Sequence, residues 1–253
     1  MREGEGRGGE TLYLCKWQGV PYAECTWELA SHVSAFQADI DQFLQRLFSR
    51  TRPNATTTWR TRPSFRRIVV QPSWLGGRSS TAKLRDYQLA GLNWLASAWC
   101  RGNSVILADE MGLGKTVQTI SFLSYLFHVC KLYGPFLLVV PLSTVMAWQR
   151  EFRIWAPAMN LVVYLGDKRS RAIIRDVEFH DSRGRLRINV LLTTYEIAMV
   201  DHDELAALRW AVLAVDEAHR LKNSESRLHC SLAALRTGHR LLITGTPLQV
   251  RPR

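Results

Sequence analysis

Residues 107–116 read LADEMGLGKT and join a short apolar stretch to the start of a helical pattern. The segment has the form of a phosphate-binding loop, G-x-x-x-x-G-K-[ST], except that Asp109 replaces the first glycine. In such loops backbone N–H groups converge on phosphates, Lys115 adds a positive charge, and the Thr116 hydroxyl can bind Mg²⁺. Asp109 displaces only the outermost glycine, which need not touch phosphate. The stretch therefore predicts a nucleotide site between a strand and a helix.

A second motif favours a nucleotide site over the alternative, which is a glycine-containing turn without special function. Residues 212–219 read VLAVDEAH, an apolar strand that ends in two adjacent carboxylates. Adjacent acids after a strand are usually only a polar loop. Together with an upstream G-K-T in a parallel sheet, they match the phosphoryl-transfer pattern, in which Asp216 holds Mg²⁺ through water and Glu217 polarises an attacking water. We therefore predict a nucleoside triphosphatase site.

From Leu84 onward, apolar runs alternate with amphipathic stretches, as in repeated β-α units. Runs that are apolar on both faces belong inside a parallel sheet covered by helices on both sides, so the predicted fold class is α/β. The predicted strands are Ser104–Ala108, Phe136–Val140, Leu161–Leu165, Val190–Thr194, Ala211–Val215 and Arg240–Thr244. The predicted helices are Thr116–Cys130, Ser143–Trp155, Arg169–His180, Asp203–Leu208 and Glu225–Arg236.

The composition limits the classes of protein to consider. The 253 residues carry a formal charge of +11, and 47% of them are hydrophobic, which suffices for a sizeable core. The apolar runs stop short of a membrane span, and the first ten residues lack the apolar core of a signal peptide. Five widely spaced cysteines without a C-x-x-C pair favour reduced thiols over disulfides or zinc.

The chain divides by composition into a lead-in and three larger regions. Residues 1–10 read as a flexible lead-in, and residues 11–49 as a small aromatic-rich unit of two strands and a helix. Residues 50–83 form a proline- and arginine-containing linker whose apolar residues predict packing along a neighbouring domain. Seven arginines lie between positions 50 and 78 without any acidic residue, which favours a polyanionic partner. They are Arg50, Arg52, Arg60, Arg62, Arg66, Arg67 and Arg78.

Residues 84–249 carry an ordered series of motifs that resembles one family. In chain order these are LRDYQLAGLNWL, ILADEMGLGKTVQTI, LLVVPLSTVMAWQREF, LLTTYE, AVDEAHRLKN and RLLITGTPLQ. They resemble the first-lobe motifs of the SWI/SNF-type DNA translocases of helicase superfamily two. Upstream, YLCKWQGVPYAECTWE resembles a chromodomain. The combination is similar to the chromodomain helicase DNA-binding (CHD) remodelers, in particular to the subfamily with paired chromodomains and no PHD fingers.

The resemblance implies a RecA-like ATPase lobe one, preceded by a partial chromodomain, in a nuclear, monomeric, ATP-dependent chromatin remodeler. It implies ATP and Mg²⁺ as cofactors, ADP and phosphate as products, and double-stranded DNA, nucleosomes and histones as partners. Gln88 would recognise adenine, Lys115 and Glu217 would be catalytic, Thr116 and Asp216 would hold the metal, and Asp216–His219 would form the DEAH box. The nucleotide-binding loop would comprise Asp109, Glu110, Met111, Gly112, Leu113, Gly114, Lys115 and Thr116.

The same resemblance implies residues for DNA contact and for coupling. Serine and threonine hydroxyls suit sequence-neutral contacts to phosphates, as a translocase requires. The predicted DNA set comprises Ser143, Thr144, Trp148, Thr193, Thr194 and Tyr195. Thr244 and Thr246 would couple the nucleotide site to DNA movement.

The sequence departs from the family at two places. Trp17 fits one wall of a methyl-lysine cage, but Val20 stands at the next wall and has no π face, so methyl-lysine binding is not expected. The segment 250–253 reads VRPR and is predicted to be a non-family tail, where the family has Asn and a second RecA-like lobe. We therefore expect weak ATP binding and very slow hydrolysis from this chain. The alternatives are a non-catalytic chromatin-binding or DNA-binding adaptor and a strand-separating helicase.

Overall fold

The computed structural model of the chain describes residues 3–5, 10–53, 62–76, 82–223 and 225–245. Two compact units are present. The smaller unit comprises Met1–Arg52 with Tyr164–Arg187, and the larger comprises Pro53–Val163 with Ile188–Arg253. Within the described ranges, none of the helices combines the length and the apolar character that a membrane span requires.

The smaller unit begins with three antiparallel strands, β1 (Glu3–Glu5), β2 (Thr11–Cys15) and β3 (Thr26–Leu29), followed by helix α1 (Gln37–Leu47). Alternate residues of β2 point inward, and Tyr13 and Cys15 form a buried cluster with Val33 and Ile40. This period of two is what a half-buried strand requires. The predicted two strands and helix are thus present.

The prediction of a flexible lead-in over residues 1–10 is wrong for Glu3–Glu5. This segment pairs with Thr11–Tyr13 in an antiparallel register. An edge strand is held by backbone hydrogen bonds, which any non-proline residue can make, so a glycine- and glutamate-rich composition does not exclude it.

The smaller unit also contains helix α5 (Lys168–Ile174), which continues as a π-helical turn over Arg175–Phe179. Asp167 caps α5 by accepting a hydrogen bond from the Ser170 N–H at 2.7 Å. Two long-range hydrogen bonds join this segment to the N-terminal part of the unit. The Tyr22 hydroxyl donates to Glu178 Oε1 at 3.2 Å, and Arg52 Nη1 donates to Asp181 Oδ2 at 2.5 Å.

The larger unit is built on a six-stranded parallel sheet, as the sequence predicts. Its strands are β4 (Val105–Leu107), β5 (Phe136–Val140), β6 (Leu161–Val163), β7 (Val190–Thr194), β8 (Val212–Val215) and β9 (Arg240–Ile243). Their order across the sheet is β4-β9-β8-β5-β7-β6. All residues of β5, β7 and β8 are buried, which explains why these strands are apolar on both faces.

The helices of the larger unit connect these strands. They are α2 (Asp86–Cys100), α3 (Lys115–His128), α4 (Val145–Trp155), α6 (Tyr195–Val200), α7 (His202–Ala206) and α8 (Arg227–Ala234). The predicted helices are present, but α3, α5 and α7 begin one residue earlier than predicted, and all except α4 end earlier. The sequence-based list lacks α2 and α6. Helix α6 is a short helix that starts directly where β7 ends, so the apolar run of the strand hides its beginning.

The described part of the linker packs on the larger unit, as predicted. Arg62 donates hydrogen bonds to the carbonyl oxygens of Trp99 at 2.5 Å and Gly238 at 2.8 Å. Its guanidinium also lies 5.0 Å from the centre of the Trp99 ring, a cation–π distance. Further along, the Asn93 side chain both donates to and accepts from the backbone of Ile68. Arg60 and Arg78 lie outside the described residues.

His239 precedes β9 and is 2% exposed. Its ring packs 5.6 Å from that of Phe122, and within the described ranges neither ring nitrogen has a hydrogen-bond partner. Burial, with a smaller contribution from Arg62, lowers the pKa of His239 from 6.5 to about 4. Protonation of this imidazole in the folded core is therefore unfavourable above about pH 4.

We predict that His239 makes the fold sensitive to acid. In the unfolded chain the His239 imidazole takes up a proton below its ordinary pKa of 6.5. In the folded chain it does so only below about pH 4. The free energy of unfolding should therefore fall by about 3 kcal/mol through this group as the pH drops across that window. Urea denaturation at several pH values measures the slope. His239→Phe should flatten it, whereas the exposed control His32→Gln should not; equal slopes in all three proteins would contradict the prediction.

Candidate nucleotide-binding site

The carboxyl ends of three neighbouring strands bring the predicted motifs together. In the sheet β9 lies between β4 and β8, and the ends are aligned, with Leu107 opposite Ile243 and Val215 opposite Leu242. The loop after β4, the acid pair after β8 and the turn after β9 therefore leave the same edge. A ligand of an open α/β sheet binds at this edge.

Direct contact between these segments is visible at Gly245. A Cβ atom at this glycine would lie 2.7 Å from Met111 Cγ and 3.7 Å from Lys115 Nζ. The turn after β9 thus lies against the loop after β4. The backbone N–H of Thr244 also donates to the carbonyl oxygen of Leu107 at 3.1 Å, which continues the β4–β9 pairing by one residue. Thr244 is buried, and Thr246 lies outside the described residues.

The loop has the backbone conformation that its glycines allow. Gly112 and Gly114 have φ of 86° and 76°, in the left-handed region that glycine adopts without strain. Gly114 is the N-cap of α3, so the positive end of the helix dipole faces the loop. Lys115 Nζ donates to the carbonyl oxygens of Asp109 at 2.8 Å and Glu110 at 2.9 Å. The loop therefore combines a helix N-terminus with a positive charge, which is a phosphate-binding arrangement.

The Asp216 carboxylate is held firmly. Its Oδ2 accepts a hydrogen bond from Trp148 Nε1 at 3.0 Å, and its Oδ1 accepts one from the Glu217 N–H at 3.0 Å. The Tyr195 hydroxyl donates to the Asp216 carbonyl oxygen. Burial raises the pKa of Asp216, although these two carboxylate hydrogen bonds and the charge of Lys115 act to lower it. The two donors fix the orientation of this carboxylate, as a metal-binding carboxylate requires.

Glu217 has an unusual backbone. Its φ of 49° places a non-glycine residue in the left-handed region, which is uncommon and clusters at functional sites. The next turn is a 3₁₀ helix over Ala218–Leu221. His219 Nδ1 lies 3.1 Å from Glu217 Oε2, so a protonated His219 would form an ion pair with it. The glutamate is half-buried and accessible for proton transfer.

The oxygen atoms at this edge fit Mg²⁺. The ion prefers oxygen ligands and is usually bound by one or two protein groups together with substrate phosphates and water. Thr116, in the first turn of α3, offers a half-buried hydroxyl, and Asp216 offers a carboxylate. The donor set is thus of the right chemical type for a magnesium nucleotide.

Gln88, assigned to adenine by resemblance, is already engaged by the protein. Its Oε1 accepts from the Arg85 N–H at 3.0 Å in the cap of α2, and its Nε2 lies 3.3 Å from the Leu113 carbonyl oxygen, to which it donates. A Cβ at Gly114 would approach Gln88 Nε2 to 2.4 Å. Gln88 therefore supports the end of the loop in this structure, and adenine would compete with these contacts.

The residues predicted to contact DNA fall into two groups. Ser143 is exposed, and Thr144 is half-buried and donates to the Pro141 carbonyl oxygen at 2.9 Å. Four others are at most 2% exposed: Trp148, Thr193, Thr194 and Tyr195. In this structure these four side chains are therefore not exposed for direct contact with a DNA backbone. Three of them make internal hydrogen bonds: Trp148 and Tyr195 donate to Asp216, and Thr194 caps α6.

Sequence reasoning missed the role of two residues. Trp148 was assigned to DNA but serves Asp216, and Gln118, which was not singled out, donates from Nε2 to Asp109 Oδ2 at 3.0 Å. The Trp148–Asp216 contact joins residues 68 positions apart, whereas Gln118 lies nine positions after Asp109. The available signal for Gln118 was its place in the first turns of a helix that follows the loop, because a buried polar group normally has a partner.

Comparison with known proteins agrees with this geometry. Residues 87–252 match the SNF2-related domain, and residues 1–46 match the Chromo (CHRromatin Organisation MOdifier) domain. The chain is 58% identical over 240 residues to Chromodomain-helicase-DNA-binding protein 1 of Gallus gallus and, equally, of Homo sapiens, with 94% of this chain covered. It is 47% identical over 243 residues to Protein CHROMATIN REMODELING 5 of Arabidopsis thaliana, with 94% of this chain covered.

The chain spans 14% of the length of each of these relatives. Among solved structures, the Sulfolobus solfataricus SWI2/SNF2 ATPase core in complex with dsDNA superposes with a TM-score of 0.60 at 29% identity. That match covers 72% of this chain and 35% of the other. The RecA-like SNF2 core fold and the N-terminal Chromo domain inferred from the motifs are thereby confirmed.

We predict that Trp148→Phe weakens the fold by removing the indole donor from Asp216. Loss of a hydrogen bond to a charged group should lower the free energy of unfolding at pH 7 by about 2 kcal/mol. The loss should shrink at acid pH, where the carboxyl group is protonated. Urea denaturation measures both values, with the partly exposed Trp94→Phe as the matched control. If Trp148→Phe lowers the free energy of unfolding equally at pH 7 and at acid pH, or if Trp94→Phe lowers it as much, the role of Trp148 as a donor to Asp216 is contradicted.

Proposed function

Because the chain belongs to the SNF2-related family and carries a Chromo domain before it, we propose that it is the ATP-binding first lobe of a DNA-translocating chromatin remodeler. The observation that carries the proposal is the meeting of the phosphate-binding loop and the Asp216-Glu217 pair at one edge of the sheet. Neither motif alone would specify a nucleoside triphosphate, since short glycine loops and paired acids each occur in other roles.

Each residue of the edge has a definable task in this proposal. The backbone of Gly112–Gly114 and the ammonium of Lys115 bind the phosphates of ATP. Thr116 and Asp216 hold Mg²⁺, which, when bound, neutralises charge on the phosphate oxygens. Glu217 orients the attacking water and accepts its proton as general base, giving ADP and phosphate. Tyr195 and Trp148 keep Asp216 in place.

In phosphoryl transfer, an arginine supplied by another element or protein commonly contributes about 10³–10⁵ in rate. The residues assigned to phosphate at this edge include no arginine, so we propose ATP binding with very slow hydrolysis unless another element supplies one, and ATP-dependent remodelling for longer proteins of this kind. The alternative is a non-catalytic adaptor, in which the Chromo domain and the linker bind chromatin and the lobe is a scaffold.

The proposed partner is double-stranded DNA on nucleosomes in the nucleus. The protein acts on this DNA as a monomer. The net charge of +11 favours binding to a polyanion. Arg66 and Arg67 are exposed in the linker, whereas Arg62 is held by backbone carbonyl groups. The exposed hydroxyl of Ser143 suits a sequence-neutral contact with a phosphate.

We predict that the chain binds ATP with Mg²⁺ and that Lys115→Ala abolishes detectable binding. The variant removes the positive charge of the loop while retaining its backbone. Isothermal titration calorimetry measures the affinity, and the exposed Lys83→Ala serves as a charge-matched control. Absence of nucleotide binding by the unmodified chain would refute the ATPase proposal and favour the adaptor.

We also predict that the Arg66→Ala/Arg67→Ala double variant weakens duplex binding and lowers its salt dependence. Each lost phosphate contact reduces the slope of log affinity against log salt by about 0.9. Fluorescence anisotropy with a labelled duplex at several salt concentrations measures this slope. Arg62→Ala is the control for loss of one positive charge, because this arginine is bound internally to carbonyl oxygens and should not change the slope. Equal slopes in the double variant and the unmodified chain would assign Arg66 and Arg67 to another role.

A further inference from the structure

Gln118 is a fully buried polar residue whose amide reaches the phosphate-binding loop. It lies on the second turn of α3, is 0% exposed, and donates from Nε2 to Asp109 Oδ2 at 3.0 Å. Asp109 is the residue that replaces the outermost glycine of the standard loop. A buried amide therefore fixes the one side chain in which this loop departs from the usual pattern.

Chemistry determines the orientation of this amide. An ionised carboxylate only accepts hydrogen bonds, so the NH₂ group of Gln118 must face Asp109 and the oxygen must face away. Gln118 Oε1 then points at α2, where a Cβ on Gly91 would lie only 1.8 Å from it. The oxygen has no hydrogen-bond partner within the described residues. The amide thus fits only because residue 91 has no side chain.

Helix α2 also supports the other end of the loop, through Gln88, which lies one turn before Gly91. Gln88 donates to the Leu113 carbonyl oxygen at 3.3 Å, while Gly91, three residues further along, accommodates Gln118. Residues i and i+3 of a helix lie on one face. One face of α2 therefore contacts the first residue of the loop through Gln118 and its last residues through Gln88.

We propose that Gln118 is a positioning residue of the nucleotide site, which holds the Asp109 carboxylate and with it the start of the phosphate-binding loop. The proposal rests on the proposed function for its effect on nucleotide affinity. Without this hydrogen bond the first residue of the loop is less ordered, and the backbone N–H groups that follow it are less well placed for phosphate. The hydrogen bond from Gln118 turns Oδ2 toward the buried amide, and Gly91 provides the space for that amide.

The first test measures the affinity of the chain for ADP with Mg²⁺. Gln118→Met keeps the side-chain length and apolar volume but removes the donor, and it should weaken binding about tenfold. Asp109→Ala should weaken it similarly, and the double variant should be no weaker than either single variant, because both remove one interaction. Asp109→Asn should lose less affinity than Asp109→Ala, since its amide oxygen still accepts from Gln118 Nε2.

The second test needs no nucleotide and reads the order of the loop. Hydrogen–deuterium exchange of the ligand-free chain should be faster at the amides of residues 109–114 in Gln118→Met. Exchange in the strands of the sheet should not change. Ser121→Ala, one turn along the same buried face, removes a polar group without a described partner and should leave both the loop and the affinity unchanged.

Gly91→Ala separates positioning from general stability. Alanine is a better helix former than glycine, so α2 itself should gain stability. The new Cβ nevertheless displaces the Gln118 amide, so exchange of the loop should accelerate as in Gln118→Met. General destabilisation would not explain a variant that stabilises α2 and yet accelerates exchange in the loop before α3.

The outcomes distinguish this inference from the proposed function. If the unmodified chain binds no nucleotide but Gln118→Met and Gly91→Ala still accelerate exchange of the loop, the positioning role stands and the ATPase proposal fails. If nucleotide binds and Gln118→Met changes neither affinity nor exchange, the positioning role is wrong and the ATPase proposal stands. Additive losses in the Asp109→Ala/Gln118→Met pair would also overturn it.

Discussion

Parallel pairing of β4, β9 and β8 is the constraint on which the site depends. These three strands are distant in sequence, and only their hydrogen-bonded alignment brings the loop after Leu107, the acids after Val215 and the turn after Ile243 to one edge. A buried apolar sheet fixes this alignment, because a slip in register would expose core residues. The chemistry at the edge is thus a consequence of packing in the interior.

How far the sequence predicted the structure depends on the range of the interaction. The strands β5 and β7 were predicted to the residue, because a strand buried on both faces is a continuous apolar run. The loop and the acid pair follow from local motifs. The strand Glu3–Glu5 was missed because an edge strand is specified by its partner's backbone, and its own composition is that of a loop.

The supporting residues of the site were beyond local reasoning. Trp148 was recognised as part of a motif, but its donation to Asp216, 68 residues away, requires the folded α4 and β8. Gln118 and Gly91 lie on adjacent helices, and the Gln118 amide fits against α2 only because Gly91 has no Cβ. Arg62 shows the same limit, since a run of arginines predicts a polyanionic partner while this member binds backbone carbonyl groups.

The central claim is that the edge formed by the loop, Thr116 and Asp216 is a magnesium nucleotide site. Its most direct measurement is a crystal structure of the chain with a non-hydrolysable ATP analogue and Mn²⁺ in place of Mg²⁺, located by anomalous scattering. The account predicts a manganese peak next to the Thr116 hydroxyl and the Asp216 carboxylate, with phosphates against Lys115. A nucleotide bound elsewhere, or an analogue without a metal peak at this edge, would contradict it.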